Sequence, residues 1–256
     1  MRPQLKLKSK EDVEKIAASG KILARALSVA VKEARPGVSA AELDKIAEQE
    51  ILRSGAKPSF KGYAGHDEDE FPASLCVSVN DVVVHGVPLP NIILQEGDIV
   101  GLDLGVNLDG FYSDGAVTVM IGKVSAEAEH LTKTAERALE AAIAAARVGN
   151  RIGDISYAIQ KTSEEEGFAV VRDLIGHGVG YAVHEEPAVP CFGKPGTGLE
   201  LVEGMVLAIE PMLTAGGYKL NSRPGEWPVR TADGSLSAHF EHTVAITKNG
   251  PRVLTS

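Results

Sequence analysis

Two carboxylates stand at matched places on a predicted β-hairpin, and the arrangement occurs twice. The apolar run Ile99-Val100-Gly101-Leu102 ends in Asp103, and Asp114 follows a turn rich in Gly, Asn and Asp. This reads as two strands with one acid on each. Glu203 to Glu210 repeats the spacing of Glu96 to Asp103, and Phe240-Glu241 repeats the position of Ser113-Asp114. Ahead of the second acid pair lies Gly176-His177-Gly178, where glycines beside a histidine permit tight backbone and close approach of a ligand. Val183-His184-Glu185-Glu186-Pro187 also matches Val84-His85-Gly86-Val87-Pro88. Several anions buried together would take up protons or bind cations. Oxygen donors with one nitrogen suit Mn(II), Fe(II), Co(II) or Zn(II), without choosing among them. Two such ions a few ångströms apart hold a hydroxide between them and polarise a carbonyl, which predicts metal-assisted hydrolysis.

Each group alone has a plainer reading. A single acid at a strand end is usually solvated or salt-bridged, and the run Asp67-Glu68-Asp69-Glu70 reads as a solvated face, since adjacent residues cannot all point one way. His130 and His66 read as surface residues. Strand alternation sends His242 to the face opposite Glu241, in a structural role, and leaves His239 undecided. Cys76 reads as a small buried side chain, because nothing adjacent would lower its pKa. Gly176-x-Gly178-x-Gly180 lacks the lysine of a phosphate loop. Only the ordered set Asp103, Asp114, His177, Glu210 and Glu241 points to a metal centre.

The elements that must carry this set also repeat. Ser9 with Asp12 predicts a helix start, and apolar spacing continues it to Arg35-Pro36-Gly37, with Gly20 marking a bend. Ser39 with Glu42 predicts a second helix over 40–53, closed by Gly55. Residues 56–75 read as loop, followed by two β segments with a turn near Asn80-Asp81, then the acid hairpin to Ile121. Ser125 to Arg147 is a second long helix whose end aligns without gaps on residues 21–37, and a short helix over 155–166 ends at Gly167. The repeated order predicts one α+β domain spanning 1–256, with similar halves near 1–121 and 122–256. Helices would back one face of a curved, mainly antiparallel sheet and leave the acids on the other.

A chain of 256 residues that is 44% hydrophobic and 24% charged supports a sizeable core. A net charge of -9 disfavours sequence-independent nucleic-acid binding. Two distant cysteines make no disulfide framework, the start lacks the apolar core of a signal peptide, and no run is long and apolar enough to span a membrane. A cytoplasmic protein is expected.

The motifs Val79-Asn80-Asp81-Val82-Val83-Val84-His85, Asp103-Leu104-Gly105, Asp114, Gly176-His177-Gly178-Val179-Gly180 with His184-Glu185-Glu186-Pro187, Ala208-Ile209-Glu210-Pro211-Met212 and Ser235 to Thr243 lie along essentially the whole chain. Together they resemble the pita-bread metallopeptidases, with type I methionine aminopeptidases most similar. The resemblance implies the pita-bread fold and two divalent metal ions (Fe, Mn, Co or Zn). Asp103 would hold one, His177 and Glu210 the other, and Asp114 and Glu241 both. It further implies Glu210 as proton shuttle, His184 as oxyanion donor, and His85 as the group that positions the scissile amide or moves a proton. Tyr63, Phe71, Cys76 and Trp227 would form the methionine pocket with His85 and His184. The implied substrate is the N-terminal methionine of nascent polypeptides whose second residue is small, with the ribosome a candidate partner, no nucleic acid or membrane, and a monomeric enzyme. The chain departs from the common pattern at Phe60, Val183 and His239 and in the length of 65–70. It shows neither the long insertion of type II members nor a zinc-finger extension. An Xaa-Pro peptidase of the same superfamily is the nearest alternative, although those enzymes usually carry a further N-terminal domain. A non-catalytic pita-bread binding module is the other.

Overall fold

Serine caps set where the helices begin. In the computed structural model, which describes residues 5–64, 70–223 and 225–256, α1 (Lys10–Glu33) starts at Ser9 and α2 (Ala40–Arg53) at Ser39. Each serine hydroxyl accepts from the backbone N–H three residues on, while the Asp12 or Glu42 carboxylate accepts from the serine N–H. Such caps are worth about 1 kcal/mol each. Ser125 caps α3 (Ala126–Ala145), and α4 (Ile152–Glu165) begins three residues earlier than the sequence predicts, where Asp154 accepts from the Arg151 N–H. The readings at His66 and over Asp67–Asp69 fall outside the described residues.

The strands are β1 (Lys57–Pro58), β2 (Leu75–Val79), β3 (Val82–Val84), β4 (Ile99–Leu108), β5 (Phe111–Met120), β6 (Ala169–Val170), β7 (Ile175–Gly178), β8 (Glu185–Pro190), β9 (Val206–Ile209), β10 (Met212–Thr214), β11 (Leu220–Asn221), β12 (Val229–Thr231), β13 (Ser237–His239), β14 (Glu241–Thr247) and β15 (Gly250–Val253). One antiparallel sheet runs β1-β4-β5-β14-β9-β7-β8, with β2 also on β4 and β15 on β14. The stretch read as loop therefore contains β1. The turn at Asn80 sends β2 and β3 to different sheets, β2 to β4 and β3 to β12.

Period-two alternation puts the apolar side chains of this sheet against the helices. Val100, Leu102, Leu104 and Val106 of β4 join Leu23, Ala26, Leu43 and Ile51 of α1 and α2 in one core. Leu207, Ile209, Val244 and Ile246 join α3 and α4 in another. The expected α+β arrangement of helices behind one face of the sheet is what the structure has.

Gly20 plays a different part from the one read in the sequence. α1 runs through it, and a Cβ there would meet the Leu254 carbonyl oxygen at 2.1 Å. The glycine lets the C-terminal segment press on the helix. Helix propensity alone predicts that Gly20→Ala gains about 1 kcal/mol. The contact predicts a net loss of about 1–3 kcal/mol, the scale of core overpacking, read as a lower midpoint in urea unfolding.

Candidate metal centre

Strand register brings the acids together. Ala116 of β5 pairs with Asp103 of β4 on one side and Glu241 of β14 on the other. Asp114, two residues from Ala116, faces the same way. His242 pairs with Ile209, so Glu241 lies level with Glu210, immediately beyond β9. His177 of β7 pairs with Ala208, two residues before Glu210. All five groups thus project from the face away from the helices, and the small Ala116 lies between two of the acids.

Hydroxyls tie these strands. Thr243 Oγ donates to the Asp114 carbonyl and accepts from the Asp114 N–H, and Thr118 makes the same exchange with the backbone of His239. Sequence reasoning did not single out either threonine. Both share the acids' face by parity, and that signal could have found them. The glycines beside His177 give the tight backbone expected of them. A Cβ at Gly176 would meet the Ala208 carbonyl at 2.5 Å, and one at Gly178 the Glu186 carbonyl at 2.2 Å.

Donor atoms converge in overlapping sets within 4.8 Å: Asp103, Asp114 and Glu241; His177, Glu210 and Glu241; Asp114, His177 and His184. His177 Nε2 is 3.4 Å from Glu210 Oε1 and 3.9 Å from Asp114 Oδ2. His239 Nε2 faces Glu210 Oε2 at 3.5 Å. Asp103, Asp114, Glu241 and His239 are all buried. Asp103 Oδ1, Glu241 Oε1 and His239 Nε2 have no hydrogen-bond partner among the described residues.

The electrostatics favour a cation. Burial pushes Asp103 up to about 7, and burial with neighbouring carboxylates pushes Asp114 and Glu241 well above the carboxylate range. Burial acts on Glu210 in the same direction, but His239 and His177 outweigh it and hold its pKa down. Orphaned buried carboxylate oxygens beside one imidazole nitrogen fit a divalent ion, which would relieve the repulsion and satisfy the oxygens.

Above the cluster lies a cavity of about 650 Å³ whose lining includes Tyr63, Phe71, Cys76, His85, His184 and Trp227. Phe60 also lines it, as do Val84, Leu174, Ile175 and Met212, whereas Val183 is buried away from it. Trp227 meets Phe71 edge-on at 5.2 Å and His85 at 6.1 Å. His85 has a left-handed backbone (φ 58°) just beyond β3. Burial lowers its pKa. At the rim, His184 Nδ1 lies 2.7 Å from the Tyr63 hydroxyl, and its ring meets His177 at 4.4 Å. Burial and then His177 lower His184 to about 4. The loop carrying His184 is pinned through Glu185, which pairs with buried Lys8 and accepts from the backbone N–H groups of Tyr181 and Ala182. No pattern in the sequence marked Lys8.

The remaining groups stand apart. His130 is exposed and meets Glu166 at 2.8 Å. His242 faces the helix side, with Nδ1 2.9 Å from Thr255 Oγ. Burial raises the Cys76 thiol well above its ordinary value, which makes it a poor nucleophile. Among the described residues, no helix is long and apolar enough to cross a membrane.

Comparison with known proteins gives the same picture across the whole chain. The model of metallopeptidase family M24 matches residues 14–248. A methionine aminopeptidase of Clostridium perfringens is 50% identical over 249 residues, covering 97% of this chain and 98% of that protein. The crystal structure of methionine aminopeptidase from Thermotoga maritima superposes with a TM-score of 0.95 at 41% identity, covering 99% of this chain and 100% of that one. A prolidase from Pyrococcus furiosus shares the fold, with a TM-score of 0.78 at 24% identity, and this chain covers 65% of it. The fold is the pita-bread fold of these structures, and the chain belongs to metallopeptidase family M24, among its methionine aminopeptidases.

Proposed function

We propose that this chain is a cytoplasmic, monomeric aminopeptidase that removes the initiator methionine from nascent polypeptides with a small second residue. One observation carries the reading: a buried cluster of four carboxylates and His177 lies at the base of a cavity lined by aromatic and thiol groups. We further propose that residues 1–256 act as one domain of two similar halves. Thioether-compatible walls at Phe71, Cys76 and Trp227 suit a methionine side chain.

Asp103, Asp114 and Glu241 would hold one divalent ion, and His177 and Glu210 with the two shared carboxylates the other. When bound, the ions supply Lewis-acid polarisation of the scissile carbonyl and a water acidified towards neutral pH. Glu210, kept ionised by two imidazoles, takes a proton from the attacking water and passes it to the leaving amine. His184 is neutral at pH 7. With Nδ1 accepting from Tyr63, its proton sits on the other nitrogen, which donates to the developing oxyanion. His85, neutral by burial, holds the scissile amide against the cluster.

His239 orients Glu210 through its second oxygen. Replacing such an outer group usually weakens a metal site 10- to 100-fold. His239→Leu is expected to lower metal affinity by about that factor, measured by calorimetric titration with Mn(II), whereas His239→Gln, which keeps a donor, retains most of it.

The activity is tested by release of the N-terminal amino acid, methionine from Met-Ala-Ser and Met-Lys-Ser and alanine from Ala-Pro-Ser, with added Mn(II), Fe(II), Co(II) or Zn(II). Cleavage of Met-Ala-Ser alone is expected. Cleavage of Ala-Pro-Ser alone moves the chain to the Xaa-Pro peptidases, and no cleavage with metal bound makes it a binding module.

A further inference from the structure

A second groove of about 680 Å³ is lined in part by Tyr157, Lys161, Arg172, Phe192 and Lys194. Neighbouring stretches of chain line this groove and the catalytic cavity. Ile175 lines the cavity and pairs with Pro190, and Phe192 follows two residues later at the groove. Arg172 lies in the groove, and Asp173 next to it lines the cavity. Four large exposed apolar side chains, Tyr157, Ile175, Phe192 and Tyr218, mark this strip of surface. Contiguous exposed apolar surface rimmed by polar groups is characteristic of docking sites.

The charge pattern adds a sign. The Arg172 guanidinium lies 4.2 Å over the Tyr218 ring and 5.3 Å over that of Phe192. Both Arg172 and Lys194 are exposed to solvent. Stacking holds a planar cation in place while leaving its edge donors free, which suits a carboxylate. Glu164 and Glu165 also line the groove, and Lys161 reaches Glu165 at 3.9 Å.

We propose that this groove receives the part of the substrate polypeptide that follows its first two residues, and that Arg172 selects an acidic side chain there. The inference rests on the aminopeptidase reading. Polypeptide beyond the second residue must leave a cavity whose base is the cluster, and the groove lined by the adjoining stretches of chain lies next along β6, β7 and β8. Aromatic walls hold an extended chain without regard to sequence, and Arg172 supplies the preference. Arg172 lies five positions before His177, at most about 18 Å when extended, so substrate positions three to six are the ones in reach.

The test uses the Mn(II)-loaded protein at low salt with Met-Ala-Ser, Met-Ala-Ser-Glu-Glu-Glu and Met-Ala-Ser-Lys-Lys-Lys. The Glu hexapeptide is expected to exceed the Lys hexapeptide in kcat/KM by about three- to fivefold, the scale of one exposed ion pair. Most of that should lie in KM, and the ratio should invert in Arg172→Glu. A wild-type ratio of one or less, or a ratio that survives Arg172→Glu, overturns the proposal. Failure to cleave Met-Ala-Ser overturns the aminopeptidase reading instead. Fluorescence anisotropy of the same hexapeptides, labelled at the C-terminus, on the metal-free protein, which does not turn them over, then reads the groove by itself: tighter binding of the Glu peptide supports it, and equal affinities overturn it.

Discussion

Glu210→Ala is expected to reduce methionine release from Met-Ala-Ser by at least about 10²–10⁴-fold, the usual contribution of a general acid–base group. Two effects combine at this residue. Its oxygens face His177 at 3.4 Å and His239 at 3.5 Å, so removing the carboxylate takes away a metal donor and leaves two buried or half-buried imidazoles without the facing charge. It also removes the carboxylate that those imidazoles keep ionised and able to accept a proton. Glu210→Gln separates the two. The amide keeps the size and one oxygen donor but is a very poor proton acceptor. It should bind metal more nearly like the wild type and still turn over at a small fraction of the rate. Bound metal counted by atomic emission, beside kcat, distinguishes these contributions. Turnover in Glu210→Ala within tenfold of wild type would sink the proton-transfer role.

His184→Ala is expected to slow the chemical step by about 2.7–4 kcal/mol, or 10²–10³ in kcat, as removal of an oxyanion donor does. Metal content should be unchanged, because the five groups that would hold the ions remain. The neutral ring follows from its surroundings, since burial and His177 lower its pKa to about 4. Tyr63 engages Nδ1 through the 2.7 Å contact and so ties the ring's orientation and tautomer to its own hydroxyl. Tyr63→Phe should therefore reproduce part of the loss, by freeing the ring and its tautomer. Single-turnover rates isolate the step from product release. Loss of metal in His184→Ala would make this residue a ligand, consistent with its place beside Asp114 and His177, and would remove the oxyanion assignment.

The site was legible in the sequence because β-sheet parity and register obey integer rules. Asp103, Asp114, Glu210 and Glu241 occupy repeated positions in two patterns of alternating strands, and one register places them on one face. The helix starts at Ser9 and Ser39 were readable for a similar reason: a cap with its reciprocal acid is local chemistry. What escaped depends on contacts between distant segments. Gly20 looked like a bend and is a packing notch for the carbonyl of Leu254. The glycines around His177 read as tight backbone, and the strands they admit are those of Ala208 and Glu186. His239 could not be placed because β13 ends there and β14 begins two residues later, so alternation does not carry across Phe240. Lys8 gave no sign of its buried pairing with Glu185, which lies 177 residues away.

This carboxylate-rich cluster is expected to become a peptidase by taking up divalent metal. The most direct test is a titration of metal-free protein with Mn(II) under anaerobic conditions, in which bound metal per chain and methionine released from Met-Ala-Ser are read on the same samples. Activity should be absent at zero metal and rise in step with filling of the cluster, and His177→Ala should bind less metal and lose both signals together. Full turnover by the metal-free chain, or metal uptake that is unchanged in His177→Ala, would contradict the account.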